Sequence, residues 1–265
     1  MTPVIDVALS PANLHRARTT VVIDALRATS TAVSALGAGY RRVRVVPDVE
    51  SALALRGPGR VLAGEYRYVT PAAFHHGNSP ADAAVRRGDE LVLATTNGTP
   101  AIVAAVQISE TVLLGSMRNL AATVAALRDR GGDVQLVCSG SEGEVALEDV
   151  YVAGRIVAEL PTPRSDAALL ADAICRRYRS PLEAFSASAA AGKLRAVGME
   201  DDIADCARES VLDLVAEVAL TGRGCSVAAA RAVSRSPVSA RTVSAQPTPS
   251  HVAATPPHDL SLAPT

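Results

Sequence analysis

Lysine is almost missing from this chain. Lys193 is the only one among 26 basic residues, and 27 acidic residues balance them to a formal net charge of -1. No basic stripe of the kind that tracks a phosphate backbone is present, so nucleic acid is not an expected partner. No apolar run approaches the roughly 20 residues needed to cross a bilayer. The opening MTPVIDVALS has no basic segment ahead of a long apolar core. Neither a membrane partner nor a secretory leader is expected, and a cytoplasmic location follows as the expectation. Cysteine is scarce and dispersed: Cys138, Cys175, Cys206 and Cys225 form no CxxC pair. Free thiols are expected rather than a disulfide framework or a zinc site. Walker A, GxGxxG, HExxH and GxSxG patterns are all absent, which removes the commonest nucleotide, zinc-protease and serine-hydrolase signatures.

What is present is apolar mass in short runs. Of 265 residues, 48% are hydrophobic, enough to build one large core or two small ones. Strand-like segments fall at 1–9, 20–23, 42–46, 60–64, 90–95, 111–115 and 133–138. Helical segments lie between them, the last running from about 145 to 160. Asp48 and Ser79 stand where helix N-caps belong, and Pro80 and Pro100 where first helical residues belong. Gly131 and Gly132 stop the helix before the seventh strand. Alternation of this kind predicts an α/β fold: a mostly parallel sheet covered by helices on both faces. Ligands of such sheets bind beyond the C-terminal strand ends. Those ends carry Asp24, Glu65, Thr96 with Asn97, Ser116, and Ser139 with Gly140. Acids, hydroxyls, an amide and a glycine at nearly every strand end point to a site rather than a bare scaffold.

Residues 1–160 are expected to form this core. Segments 165–178, 182–190 and 200–210 read as helices, and 211–220 as a strand or a helix. Residues 161–224 are therefore expected to be a helical cap or second lobe of the same domain. Residues 225–265 are rich in Ser, Pro, Ala and Thr and show no period, so a disordered, dispensable tail is expected there.

The stretch TVVIDALRATST, Thr20 to Thr31, concentrates the chemistry. A buried strand ends on Asp24, Arg27 follows in the turn, and the hydroxyls of Thr29, Ser30 and Thr31 precede a helix. Helix starts bind anions through their free N–H groups. A guanidinium and donors around Asp24 are expected to keep it ionised at neutral pH. Each motif also has an ordinary structural meaning. GNSP (Gly77 to Pro80) is at least a capped helix start, TTNGT (Thr95 to Thr99) at least a turn, and Glu148 with Asp149 at least the acids that suit a helix N-terminus.

Taken together, VVIDALRATST, LAGE followed by Arg67, GNSP, ATTNGT, GSMRN and CSGSEGEVALEDVYVAG, in this order, resemble the 2-phosphosulfolactate phosphatase family of coenzyme M biosynthesis. The resemblance is strong over about 21–154 and weaker to about 222. The family places an Arg directly after the Glu of its GE motif; here Tyr66 intervenes and Arg67 follows. The resemblance implies an α/β fold and magnesium-dependent hydrolysis of a phosphomonoester on a small 2-hydroxy acid. Magnesium prefers hard oxygen ligands, so Asp24, Glu65 and Asp149 are its candidate ligands. Asp24 and Arg27 are expected to be catalytic, with Glu148 behind the ligands or acting as general base. Asp24 as a nucleophile remains the alternative. Substrate contacts are expected from Thr29, Ser30, Thr31, Arg67, Gly77, Asn78, Ser79, Thr96, Asn97, Gly98, Thr99, Ser116, Ser139 and Gly140. A small phosphorylated acid is the expected partner, and a homodimer is compatible with this reading. The rival is a non-catalytic protein that binds a phosphorylated metabolite.

Overall fold

Each apolar segment up to residue 138 forms a strand. In the computed structural model the described residues are 3–221 and 224–230, all within one compact unit. The strands are β1 (Ile5–Ala8), β2 (Thr19–Ile23), β3 (Arg42–Val45), β4 (Arg60–Gly64), β5 (Glu90–Ala94), β6 (Thr111–Gly115) and β7 (Val134–Cys138). Between and after them run α1 (Ala28–Gly37), α2 (Val49–Ala54), α3 (Pro80–Ala83), α4 (Gly98–Ile108), α5 (Leu120–Arg130) and α6 (Leu147–Glu159). Asp48 caps α2 by accepting the Ser51 amide at 2.7 Å, and Ser79 caps α3 ahead of Pro80. Helix α4 begins two residues before Pro100. There Thr95 and Thr99 exchange hydroxyl and amide bonds at 3.1 and 3.2 Å, which closes the turn early.

The C-terminal third departs from expectation in two places. Segment 182–190 is two helices, α8 (Pro181–Ser186) and α9 (Ala189–Ala196), after α7 (Asp166–Arg177). The Ser188 hydroxyl accepts the Ala191 amide and so starts a new helix. Past α10 (Asp201–Cys206), segment 211–220 resolves as strand β8 (Val215–Thr221), and β9 (Gly224–Ala230) pairs with it antiparallel along its whole length. The expected tail therefore starts too early. Cys225 and Val227 are fully buried, two residues apart on one face, as a strand requires. The rest of that expectation, residues 231–265, lies outside the described residues.

All nine strands form one sheet in the order β1-β7-β2-β6-β8-β9-β3-β5-β4. Five pairings are parallel, and the β8–β9 hairpin is wedged antiparallel between β6 and β3. The sheet is far from flat. Six strand spacings separate β2 from β4, roughly 29 Å in a flat sheet, yet the residues after these two strands share one pocket. One apolar cluster explains the curl. It joins Val22, Val43, Val61, Leu91, Leu93, Leu114, Ala216 and Val227, from seven strands, to Val33 and Leu36 of α1 and Ile102 of α4. The sheet wraps around these helices, and each fully buried Val, Leu or Ile contributes about 1.5–3 kcal/mol. A second cluster packs α5, α6 and α7 on the opposite face of β1, β2 and β7. Among the described residues no helix is long and apolar enough to cross a membrane.

Candidate active site

Helix α1 is buried along its whole length from Ala28 to Leu36. Hydroxyls inside such a helix must find partners there, and they do. Thr29 donates to the Gly115 carbonyl at 2.8 Å, Ser30 to the Ala25 carbonyl at 2.8 Å, and Thr31 to the Asn78 carbonyl at 3.2 Å. These three residues were expected to meet substrate. They instead fasten the end of β2 to β6 and to the GNSP loop.

The end of β2 holds the centre of the site. Asp24 Oδ1 accepts the Ala28 amide at 3.0 Å. No hydrogen bond reaches Oδ2 among the described residues, and Asp24 borders a pocket at the strand ends. Gly98, the first residue of α4, presses against it: a Cβ there would lie 2.4 Å from Oδ2. Burial is the main cause that lifts the Asp24 carboxyl to about 7; Glu65 and Glu148 add to it, while the Ala28 amide and Arg27 oppose it. Without a metal Asp24 is therefore only partly ionised at neutral pH, less than expected, because desolvation outweighs the neighbouring guanidinium.

Arg27 borders the same pocket and is 2% exposed. Its Nη1 lies 2.5 Å from Asp202 Oδ2 on α10. Asp202 Oδ1 also accepts the Ser79 hydroxyl at 2.8 Å. One carboxylate therefore ties the β2 turn to the GNSP loop. Ser79 is committed to that bond and to its cap, which corrects its expected role at substrate.

Across the pocket Glu65 follows β4. Its Oε1 accepts the Thr96 amide at 2.8 Å, and its Oε2 accepts the Tyr68 amide and the Thr96 hydroxyl at 2.7 and 3.0 Å. This clamp shapes the loop that carries Arg67, whose amide donates to Thr96 Oγ1 at 2.9 Å. The exposed Arg67 guanidinium lies over the Tyr66 ring at 5.8 Å and borders the pocket. Asn78 and Asn97 complete the wall. Asn78 Oδ1 is buried without a partner, and Asn97 Oδ1 accepts the Glu142 amide at 3.1 Å.

Of the residues expected at the site, Asp24, Arg27, Glu65, Arg67, Asn78, Thr96 and Asn97 line this pocket and Gly98 abuts Asp24. The others do not line it. Thr99 is spent on Thr95. Ser116 and Asn119 form a reciprocal cap on a 3-10 turn. Gly77 packs against Thr70. Ser139 continues the ladder from β7 to Ile23, although its hydroxyl is buried without a partner. Gly140 has φ +67, and a Cβ there would lie 2.4 Å from the Glu144 carbonyl. Its amide donates to Asp149 Oδ2 at 3.0 Å, while the Ala25 amide donates to Oδ1 at 2.8 Å. Asp149 thus locks two strand ends together and is not on the pocket wall, so it is withdrawn from the expected ligand set. Glu148 is buried on the wall of the neighbouring cavity. Desolvation raises its carboxyl, opposed by its own backbone amide, the Ser188 hydroxyl and Lys193. It acts on Asp24 through charge rather than contact with the pocket. Among the described residues no three His, Cys, Asp or Glu side chains gather closely enough to cage a metal ion.

Four residues that the motifs did not single out belong here: Tyr68, Glu142, Lys193 and Asp202. Tyr68 and Glu142 border the pocket, Lys193 bonds to Glu142, and Asp202 holds Arg27. The signals available were the lone lysine and, for Glu142, its place inside the CSGSEGEVALEDVYVAG motif. Cys138, at the end of β7, is a fully buried thiol raised by that burial, as a small core residue would be.

Fold and pocket together define an α/β protein with an acid- and arginine-lined pocket at its strand ends. The family model described as 2-phosphosulpholactate phosphatase matches residues 6–220. The chain belongs to that family. A Thermus thermophilus protein described as a probable 2-phosphosulfolactate phosphatase is 40% identical over 195 residues, 71% of this chain and 82% of its own. A Thermotoga maritima protein with the same description is 37% identical over 217 residues, 80% and 93% of the two chains. The 2-phosphosulfolactate phosphatase of Methanothermobacter thermautotrophicus is 32% identical over 192 residues, 72% and 82%.

Proposed function

We infer that this chain hydrolyses the phosphomonoester of a small acidic metabolite, 2-phosphosulfolactate or a related 2-phospho hydroxy acid, with magnesium as cofactor. As a member of its family it is an enzyme, a phosphoric monoester hydrolase. The observation that carries the magnesium assignment is the pairing of Asp24 and Glu65 in one pocket bordered by two guanidinium groups. Two buried carboxylates repel each other and would repel a phosphate dianion unless a cation stood among them. Magnesium is commonly held by one or two carboxylates plus substrate phosphate and waters. Asp24 through Oδ2 and Glu65 border the pocket and would hold the ion there; Asp149 lies off the pocket wall and does not join them. When bound, magnesium neutralises the phosphate and stabilises the leaving oxygen.

The chain's own groups do the rest. Arg27, held by Asp202, and Arg67 on the rim supply guanidinium forks suited to phosphate or carboxylate oxygens. Asn78 and Asn97 offer amides beside Asp24. Glu65 fixes Thr96 and Tyr68, so the wall opposite Asp24 is preset before substrate arrives. The test is phosphate release by purified protein from 2-phosphosulfolactate and 2-phospholactate, with magnesium and after exhaustive chelation. Release only with magnesium is expected. Full activity after chelation would overturn the cofactor assignment, and binding of both esters without release would favour a binding protein.

A further inference from the structure

The single lysine stands beside the pocket with a cluster of donors. Lys193 Nζ lies 3.3 Å from Ser141 Oγ and 3.2 Å from Glu142 Oε2. It also sits 5.5 Å from the centre of the Tyr68 ring. The Tyr68 hydroxyl is 3.5 Å from the same Ser141 oxygen. An ammonium, a hydroxyl and a phenol thus converge on one spot next to Asp24's pocket, whose wall includes both Tyr68 and Glu142. Burial raises the phenol, which keeps it a donor at neutral pH. Three donors around one point match the oxygens of an ionised acid group. Glu142, a carboxylate, already sits against that ammonium.

The pair is easily exchanged. The Lys193 and Glu142 side chains are 40% and 56% exposed, and ion pairs at such sites contribute little, about 0–1 kcal/mol. The turn that carries Glu142 is fixed independently, by reciprocal amide bonds between Ser141 and Glu144 and by the Asn97 contact. The carboxylate can swing away while the turn stays in place.

We propose that Lys193, Ser141 and Tyr68 form the subsite for the substrate's second acid group, remote from the phosphate, and that Glu142 occupies it in the empty enzyme. The proposal rests on the phosphatase reading above and adds to it the residues that select a two-acid ester. Lys193 is then a specificity-determining residue.

The experiment compares 2-phosphosulfolactate with 2-phospholactate, which lacks the sulfonate but keeps phosphate and carboxylate. In Lys193→Ala the ratio of kcat/KM values for the two esters should fall at least tenfold, mainly through KM for the two-acid ester. Lys193→Arg should restore part of the preference, and Ser141→Ala should lower it about threefold. Glu142→Gln, which removes the competing carboxylate, should lower KM for the two-acid ester. An unchanged ratio in Lys193→Ala, or a raised KM in Glu142→Gln, overturns the proposal. Calorimetric titration with sulfolactate separates this subsite from catalysis. If neither ester is hydrolysed by wild type, the phosphatase reading fails. Tenfold weaker sulfolactate binding by Lys193→Ala would still support the subsite, and equal binding would overturn it.

Discussion

Asp202 offers the sharpest test of how the site is held. It joins α10 to the β2 turn through Arg27, with side chains 2% and 9% exposed, and it accepts the Ser79 hydroxyl. Removing one partner of a buried pair strands the other charge, a cost of about 3–5 kcal/mol. Asp202→Ala should therefore lose about that much stability. At about 2–4 °C per kcal/mol for a unit of this size, the melting temperature should fall by roughly 6–20 °C. Asp202→Asn keeps an acceptor for Ser79 and isolates the loss of charge. The double variant Arg27→Met/Asp202→Leu replaces the pair by apolar groups of similar reach. It should regain most of the stability and yet remain poorly active, because Arg27 borders the pocket. Urea unfolding with matched slopes, read beside phosphate release, separates the two effects. The reasoning is refuted if Asp202→Ala unfolds within 1 kcal/mol of wild type (roughly the worth of an exposed pair), or if the double variant is as unstable as the single one.

Asp24→Asn should lower turnover by about two to four orders of magnitude, the scale of losing one strong electrostatic group, and phosphate-release assays check this. It should also change the pH dependence of stability. A carboxyl raised to about 7 in the folded metal-free protein contributes stability that is complete below its unfolded value of about 3.9, and that is lost as pH rises through 7. Metal-free wild type should therefore weaken between pH 4 and 7 relative to Asp24→Asn, and magnesium at pH 8 should raise the melting temperature of wild type but not of the variant. Gly98→Ala places a methyl 2.4 Å from Asp24 Oδ2 and 2.6 Å from Ala28 Cβ; it should cost about 1–3 kcal/mol as overpacking and reduce activity more than a hundredfold, measured by thermal melting and phosphate release. Deleting residues 225–265 removes all of β9 but its first residue and uncovers β8 and β3, so the truncated protein should melt far lower or aggregate; near-native melting would show that β9 contributes little.

The alternation of strand and helix was legible because buried parallel strands read as short apolar runs, and the rule that ligands gather at strand ends picked out Asp24, Glu65, Thr96 and Asn97, which line one pocket. Three physical facts were not legible. The hydroxyls of Thr29 to Thr31 look like an anion cradle in sequence, but whether a helix start faces solvent or core depends on the sheet around it. Here the sheet wraps α1, so burial turns those hydroxyls toward backbone carbonyls. Strand β9 escaped because its side chains are small and its period covers only Cys225 and Val227 on the buried face; its stability comes from partners on both sides, β8 and β3, which no local pattern reports. Asp202 and Lys193 escaped because their partners lie 175 and 52 residues away. An acid near a helix start and a lysine in an Ala-rich helix are ordinary by local rules. The hairpin also bears on the pocket. By entering between β6 and β3 it lengthens the sheet between its two parallel parts, and curvature around α1 and α4 then carries Glu65 back to Asp24. Without that closure the two carboxylates would stand far apart on a flat sheet and could not line one pocket.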